Sequence, residues 1–160
     1  MSSTLSTRPV HLRLPYLCLV VVGGTIGTAA REGLTLAFPS AGGIPYATFT
    51  INVVGAFLLG LLLDALVRMG PDDGLRRRIR VMVGTGFMGG FTTYSALAVS
   101  TAGLLGEGQI GFSIAYGLGT ILIGGAATGA GIVTATVLHG RSHARSARQS
   151  PDATLNGGAR

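Results

Sequence analysis

Three clusters of polar residues lie inside otherwise apolar stretches of this chain, and each is of a type that can meet a small ion. The first is Asn52, followed by Val53, Val54 and Gly55. Its amide carries donors and an acceptor that hydrocarbon cannot satisfy, so it either bonds a neighbouring helix or lines a watered path. The second is the run Gly84-Thr85-Gly86-Phe87-Met88-Gly89-Gly90-Phe91-Thr92-Thr93-Tyr94-Ser95. A Gly-Gly pair followed by two threonines is poor helix material, which predicts an unwound turn whose freed carbonyls could hold a cation. Gly86 and Gly90 also make a G-x-x-x-G face suited to close helix packing. The third is Tyr116, Thr120, Gly124 and Thr128, which recur every four residues and share one helix face. Hydroxyls on that face could donate to an anion without any fixed charge, or the stripe could serve packing together with Gly117, Gly125 and Gly129. A polar track without a buried carboxylate or lysine suits a selective pore better than a proton-driven pump.

Other chemistry finds no material. His11, His139 and His143 lie near the two ends, and Cys18 is the single cysteine, so neither a Ser/His/Asp or Cys/His set nor a zinc cluster can be assembled. No enzymatic activity is expected. Cys18 reads as a small apolar residue inside a helix. Glu32 and Asp64 fall near helix ends, badly placed for a small multidrug antiporter, whose coupling needs a carboxylate deep in the first helix.

The elements that must position these clusters follow from composition. Only 11% of the residues are charged, where a soluble domain carries roughly 25%. A spanning helix needs about 20 mostly apolar residues, and four stretches meet that length: 16–38, 46–67, 81–105 and 110–138. Short links between them make sequential helices antiparallel neighbours. The expected fold class is an all-α membrane protein of four transmembrane helices with a break in the third. Residues 1–15 and 139–160 have neither apolar content nor periodicity and read as disordered tails. A signal peptide ending at Thr28-Ala29-Ala30 is disfavoured because the apolar run continues past Arg31 into Leu34, Leu36 and Phe38.

Charge gives an expected orientation. Of twelve arginines, eleven fall on one side of this arrangement: Arg8, Arg13, Arg68, Arg76, Arg77, Arg78, Arg80, Arg141, Arg145, Arg148 and Arg160. Arg31 alone falls elsewhere. The positive-inside rule then puts both termini and the middle link in the cytoplasm. Contact with anionic lipid could accompany that role, whereas nucleic acid is a poor fit for so short a link.

The segment Gly86-Phe87-Met88-Gly89-Gly90-Phe91-Thr92-Thr93-Tyr94-Ser95 resembles the central signature of the Fluc, or CrcB, fluoride channels, G-F-x-G-G-x-T-T-F-S-T-F. Gly23-Gly24-Thr25-Ile26-Gly27 with Ala30-Arg31 resembles that family's G-x-x-x-R pattern. Thr48, Asn52, Gly55, Phe57, Leu58 and Gly60 resemble its N-x-x-G-x-F-x-x-G pattern, and the resemblance covers residues 17–138. It implies a plasma-membrane subunit that pairs antiparallel, one copy inverted, to form two pores for passive fluoride export. It further implies a structural sodium ion on the backbone carbonyls of Gly89 and Thr92, with Arg31 at the pore entrance. The pore lining would be Asn52, Tyr94, Ser95, Leu97, Tyr116, Thr120 and Thr128.

Four positions depart from the pattern. Tyr94 and Leu97 stand where the family has two pore phenylalanines, Ala96 replaces a hydroxyl residue between them, and Gly124 replaces a serine. The one-sided arginines add a further departure, because a homodimer with one inverted subunit needs near-balanced charge. The expectation is therefore an antiparallel pair with a homologous second subunit, in which this chain could also be the nonconducting partner.

Overall fold

The computed structural model describes residues 13–39 and 45–148, the last seven of them (142–148) by backbone alone. Among these residues every regular element is helical. Helix α1 (Leu14–Ala37) starts with Pro15 in its first turn, where the missing N–H costs nothing. It stops just before Phe38-Pro39, since the ring of a proline disfavours a helical residue ahead of it. Helix α2 (Tyr46–Arg68) follows Pro45. The short α3 (Gly74–Ile79) continues directly into a π-helical segment (Arg80–Phe87) and then α4 (Met88–Phe91). Helix α5 (Tyr94–Gly106) and helix α6 (Ile110–Arg148) complete the chain, joined by a turn in which Gly108 takes φ 76°.

Three of these helices are long and apolar enough to cross a membrane: α1, α2, and α6 as far as Arg141. The fourth stretch, expected over 81–105, is divided into the π-helical segment, α4 and α5. The π-helical turns were not expected from sequence, and two glycines, Gly84 and Gly86, lie within them. The last helix also differs from expectation. It continues through 139–148, where a disordered tail was expected to begin, and the alanines and arginines of that stretch are good helix formers. Residues 14 and 15, assigned to the N-terminal tail, belong to α1. The remainder of both expected tails, 1–12 and 149–160, lies outside the described residues, as do 40–44 of the first link.

The bundle is two tightly packed layers that meet at α4. In the first, α1 lies along the π-helical segment and α4. In the second, α2 lies along α6. Both contacts are backbone to backbone. A methyl group at Gly23 would strike the Met82 carbonyl, one at Gly27 the Phe87 carbonyl, and one at Gly90 the Gly24 carbonyl. Across the other contact, Gly60 abuts the Thr128 carbonyl and Gly131 the Phe57 carbonyl. Small residues let helices approach this closely in a lipid environment, where no hydrophobic driving force pushes them together. A core of Ile51, Met88 and Phe91, backed by Ala30, Ala47, Leu59 and Phe87, joins the layers, with the Phe87 and Phe91 rings stacked at 5.6 Å. The outer surface is apolar, including Val21, Val22 and Ile26 on α1 and Leu118, Ile121 and Leu122 on α6. Aliphatic side chains facing outward along whole helices suit lipid or a partner subunit, not water.

At the α2–α3 link the arginines are mostly neutralised. Arg80 and Arg77 pair with Asp72, and Arg76 pairs with Asp73 while donating to the Met69 and Pro71 carbonyls. The hydrogen bond from Arg80 holds the Asp72 carboxyl below the usual carboxylate range. Arg68 bonds Asp64 one turn earlier and Thr136 of α6, which ties the ends of these two helices together.

Candidate functional site

Two of the three expected polar clusters, Asn52 and the glycine–threonine run, meet at the point where α4 ends. Thr92 and Thr93 are extended, with ψ 155° and 118°, and the helix restarts at Tyr94. Two threonines do the local work. The Thr92 backbone N–H and its hydroxyl both donate to the Met88 carbonyl, at 2.9 and 2.8 Å, closing α4. The Thr93 hydroxyl accepts from the Ala96 N–H at 3.1 Å and so caps α5.

Asn52 docks onto this gap from α2. Its amide nitrogen donates to the Thr93 carbonyl at 2.9 Å, and its amide oxygen accepts from the Thr93 N–H at 2.8 Å. One side chain thereby satisfies both backbone groups of a residue outside any helix, which is what irregular backbone in an apolar setting requires. Of the two readings of Asn52, the bond to a neighbouring segment is the one the geometry shows within the chain. Gly55, one turn on, makes room for the Thr92 methyl group and the Phe91 ring.

Because the Thr93 N–H turns to Asn52, it does not return to the Gly89 carbonyl as it would in a continued helix. The Gly90 carbonyl, which likewise lacks its partner four residues on, accepts from Arg31 Nε at 3.3 Å and from the Thr28 hydroxyl at 3.4 Å. Arg31 is thus tied to the end of α4, and it also sits 3.8 Å from Glu32. Gly90 lies against α1, whereas Gly89 faces open space. The Gly89 carbonyl is therefore a backbone oxygen at a helix terminus, where partial negative charge gathers, and the Thr92 carbonyl belongs to the extended residue that follows. Oxygen donors without a fixed charge suit a hard monovalent cation, so the chemistry present fits the sodium ion that the resemblance implies.

The other expected lining residues are distributed unequally. Tyr94 and Ser95 are exposed at the start of α5, and the Ser95 hydroxyl is 3.2 Å from that of Thr93. Leu97 is only 6% exposed and turns toward α6, at the floor of a groove of about 580 Å³ whose walls include Tyr94, Thr101 and Ser113. On α6, Tyr116 donates to the Pro45 carbonyl at 3.2 Å. Thr120 donates to the Tyr116 carbonyl at 2.7 Å and Thr128 to the Gly124 carbonyl at 3.1 Å. The two threonine protons are thus held by their own helix, and part of this face, at Gly124 and Thr128, lies against α2 at Ala56 and Gly60. Asp64 is ion-paired with Arg68 and accepts from Thr136, which leaves it no resemblance to an isolated coupling carboxylate.

Two residues at the site, Thr93 and Thr28, have roles that were not expected of them. Thr93 was singled out only as part of a polar run, yet it is the residue that Asn52 holds. Thr28 stands one residue after Gly27, and its spacing of three to Arg31 is the signal that both could reach the same carbonyl.

A family model described as "CrcB-like protein, Camphor Resistance (CrcB)" matches residues 18–132, which include α2, the interrupted segment and most of α1. This chain belongs to the CrcB family. Its similarity to individual members is high. It is 53% identical over 127 residues to "Fluoride-specific ion channel FluC 2" of Leifsonia xyli, a match covering 79% of this chain and 88% of that one. It is 46% identical over 124 residues to "Fluoride-specific ion channel FluC 1" of Cutibacterium acnes, covering 77% and 83%. With "Fluoride-specific ion channel FluC 3" of Streptomyces avermitilis the identity is 41% over 123 residues, covering 76% of this chain and 59% of the relative. The CrcB match takes in the Asn52–Thr93 junction, Arg31 and the face of α6 alike.

Proposed function

We propose that this chain is a subunit of a fluoride-specific channel of the cell membrane, passing fluoride passively out of the cytoplasm. The observation that carries the reading is the match to fluoride-channel relatives across 79% of the chain, with the polar junction of Asn52, Thr92 and Thr93 inside it. Fluoride holds its water tightly, so a conducting path must offer fixed donors at several points. The unspent N–H of the Asn52 amide, the Ser95 hydroxyl and the Tyr94 ring edge are of the required kind, since aromatic edges carry partial positive charge. Tyr116, Thr120 and Thr128 would continue the lining, with Leu97 as an apolar wall and Arg31 at the pore entrance.

The unit is proposed to be an antiparallel pair in which this chain keeps one orientation, termini in the cytoplasm, and its partner is an inverted homologous subunit. The π-helical segment, α4 and α5 together would form the third of four spans, broken at Thr92 and Thr93. The Gly89 and Thr92 carbonyls would hold a structural sodium ion at the break, which when bound offsets the partial negative charge gathered there. A second reading is favoured by one feature. Leu97 and Ala96 offer no donor where ring edges and a hydroxyl are expected, so this chain could be the partner whose own pore is closed.

Fluoride efflux from liposomes separates the readings. Protein purified alone is expected to be silent, and protein co-expressed with its nearest homologue from the same genome is expected to conduct. Efflux from the lone protein would remove the need for a partner. Silence of both preparations would favour a subunit without a conducting path.

A further inference from the structure

At the start of α1 a cleft of about 680 Å³ is lined by Arg13, Pro15, Tyr16, Leu19 and Arg78. Its two arginines differ from the rest of the basic cluster. Arg76, Arg77 and Arg80 are engaged by Asp72 and Asp73, and Arg68 by Asp64. Among the described residues, neither the Arg13 nor the Arg78 side chain has an ion-pair or hydrogen-bond partner, and both are exposed. No carboxylate among the described residues lines the cleft. Two cations that face one cleft without counter-charge repel each other, and an anion between them would relieve that repulsion.

The place of the cleft says which anion. Arg13 immediately precedes the apolar α1, and Arg78 stands two residues ahead of the π-helical segment. Both therefore sit at the rim of the apolar zone, at the level of lipid headgroups, and Tyr16 is the residue type that settles there. Leu19, on the same wall, lies one turn deeper, toward the acyl chains. We infer that the cleft between Arg13 and Arg78 binds the phosphate of an anionic phospholipid, with the two guanidinium groups on the phosphate oxygens and the acyl chains running down past Leu19. The inference does not depend on conduction, so it stands or falls apart from the channel reading.

Native mass spectrometry of the full chain in detergent tests it, with phosphatidylglycerol and phosphatidylcholine of matched acyl chains offered in turn. Preferential retention of phosphatidylglycerol by the wild type is expected. Arg13→Gln/Arg78→Gln should weaken that preference by about fivefold per arginine, roughly 30-fold together. Arg141→Gln, which removes an exposed charge from α6, should leave it intact. Arg13→Lys/Arg78→Lys should keep most of it, which guards against a loss caused by misfolding. Equal retention of the two lipids by the wild type, or undiminished preference in the glutamine variant, would overturn the inference. So would displacement of the lipid by millimolar inorganic phosphate, which would mark a site for the free ion.

Discussion

At the scale of single residues, the junction depends on one amide. Asn52 is the only group that meets both the N–H and the carbonyl of Thr93 among the described residues. Asn52→Leu keeps the branched outline of the side chain and removes both bonds, leaving two backbone groups without partners at a cost of about 1–3 kcal/mol each. The expected outcome is a lower unfolding temperature in detergent and a loss of fluoride efflux of tenfold or more, on the order of the displacement such a cost implies. Asn52→Asp is the sharper probe. It keeps the acceptor for the Thr93 N–H but sets an anion against the Thr93 carbonyl, so efflux should fall even if the fold survives. Efflux at the wild-type level from both variants, reconstituted with the same partner, would show that the amide has no part in the path. That Asn52 mattered was legible from its type and setting, since an amide among valines needs a partner. What it would bond was not, because the partner lies 41 residues away in a stretch whose break point is set by tertiary contact.

At the scale of elements, the packing of α1 against the π-helical segment explains why so many glycines stand in this chain. Gly23 and Gly27 each meet backbone of the opposing segment, and backbone cannot move aside as a flexible side chain can. Gly23→Ala and Gly27→Ala are expected to destabilise the fold by about 1–3 kcal/mol each, as overpacked cores do. Gly33 is the internal control. It lies on the same helix with open space around it, so Gly33→Ala should be neutral or slightly stabilising. Thermal unfolding of the three variants in one detergent checks the contrast, and equal behaviour of Gly23 and Gly33 would refute the packing account. The G-x-x-x-G spacing had already shown that close packing was available to Gly86 and Gly90. The π-helical turns could not be read in the same way. Their wider hydrogen-bonded turn shifts the register between Arg80 and Phe87, and no residue-type preference announces it. The length of α6 was underestimated for a related reason, because loss of apolar content at His139 marks the end of a membrane span, not the end of a helix.

At the scale of the whole molecule, the contacts gather positive charge at one end. Arg13 and Arg78 share a cleft, Arg76 reaches the last turns of α2 through the Met69 carbonyl, and Arg68 reaches α6 through Thr136. Arg31 is instead drawn to the end of α4 by the Gly90 carbonyl. Insertion machinery counts positive charge near span ends, so a molecule built this way should settle in one orientation, whereas a subunit that must invert half its copies needs the two sides balanced. Twin C-terminal reporters decide the matter, green fluorescent protein for the cytoplasm and alkaline phosphatase for the outside. Fluorescence with no phosphatase activity is expected. Comparable signals from both would mean dual orientation and would remove the charge argument for a separate partner. Moving charge should move the outcome. Three glutamines at Arg76, Arg77 and Arg78 take three charges from the link, and three arginines added beside Glu107 load the opposite side. Phosphatase activity should then appear in proportion. A chain that stays fluorescent after both changes would owe its orientation to something other than arginine placement, and the proposed inverted partner would lose its strongest support.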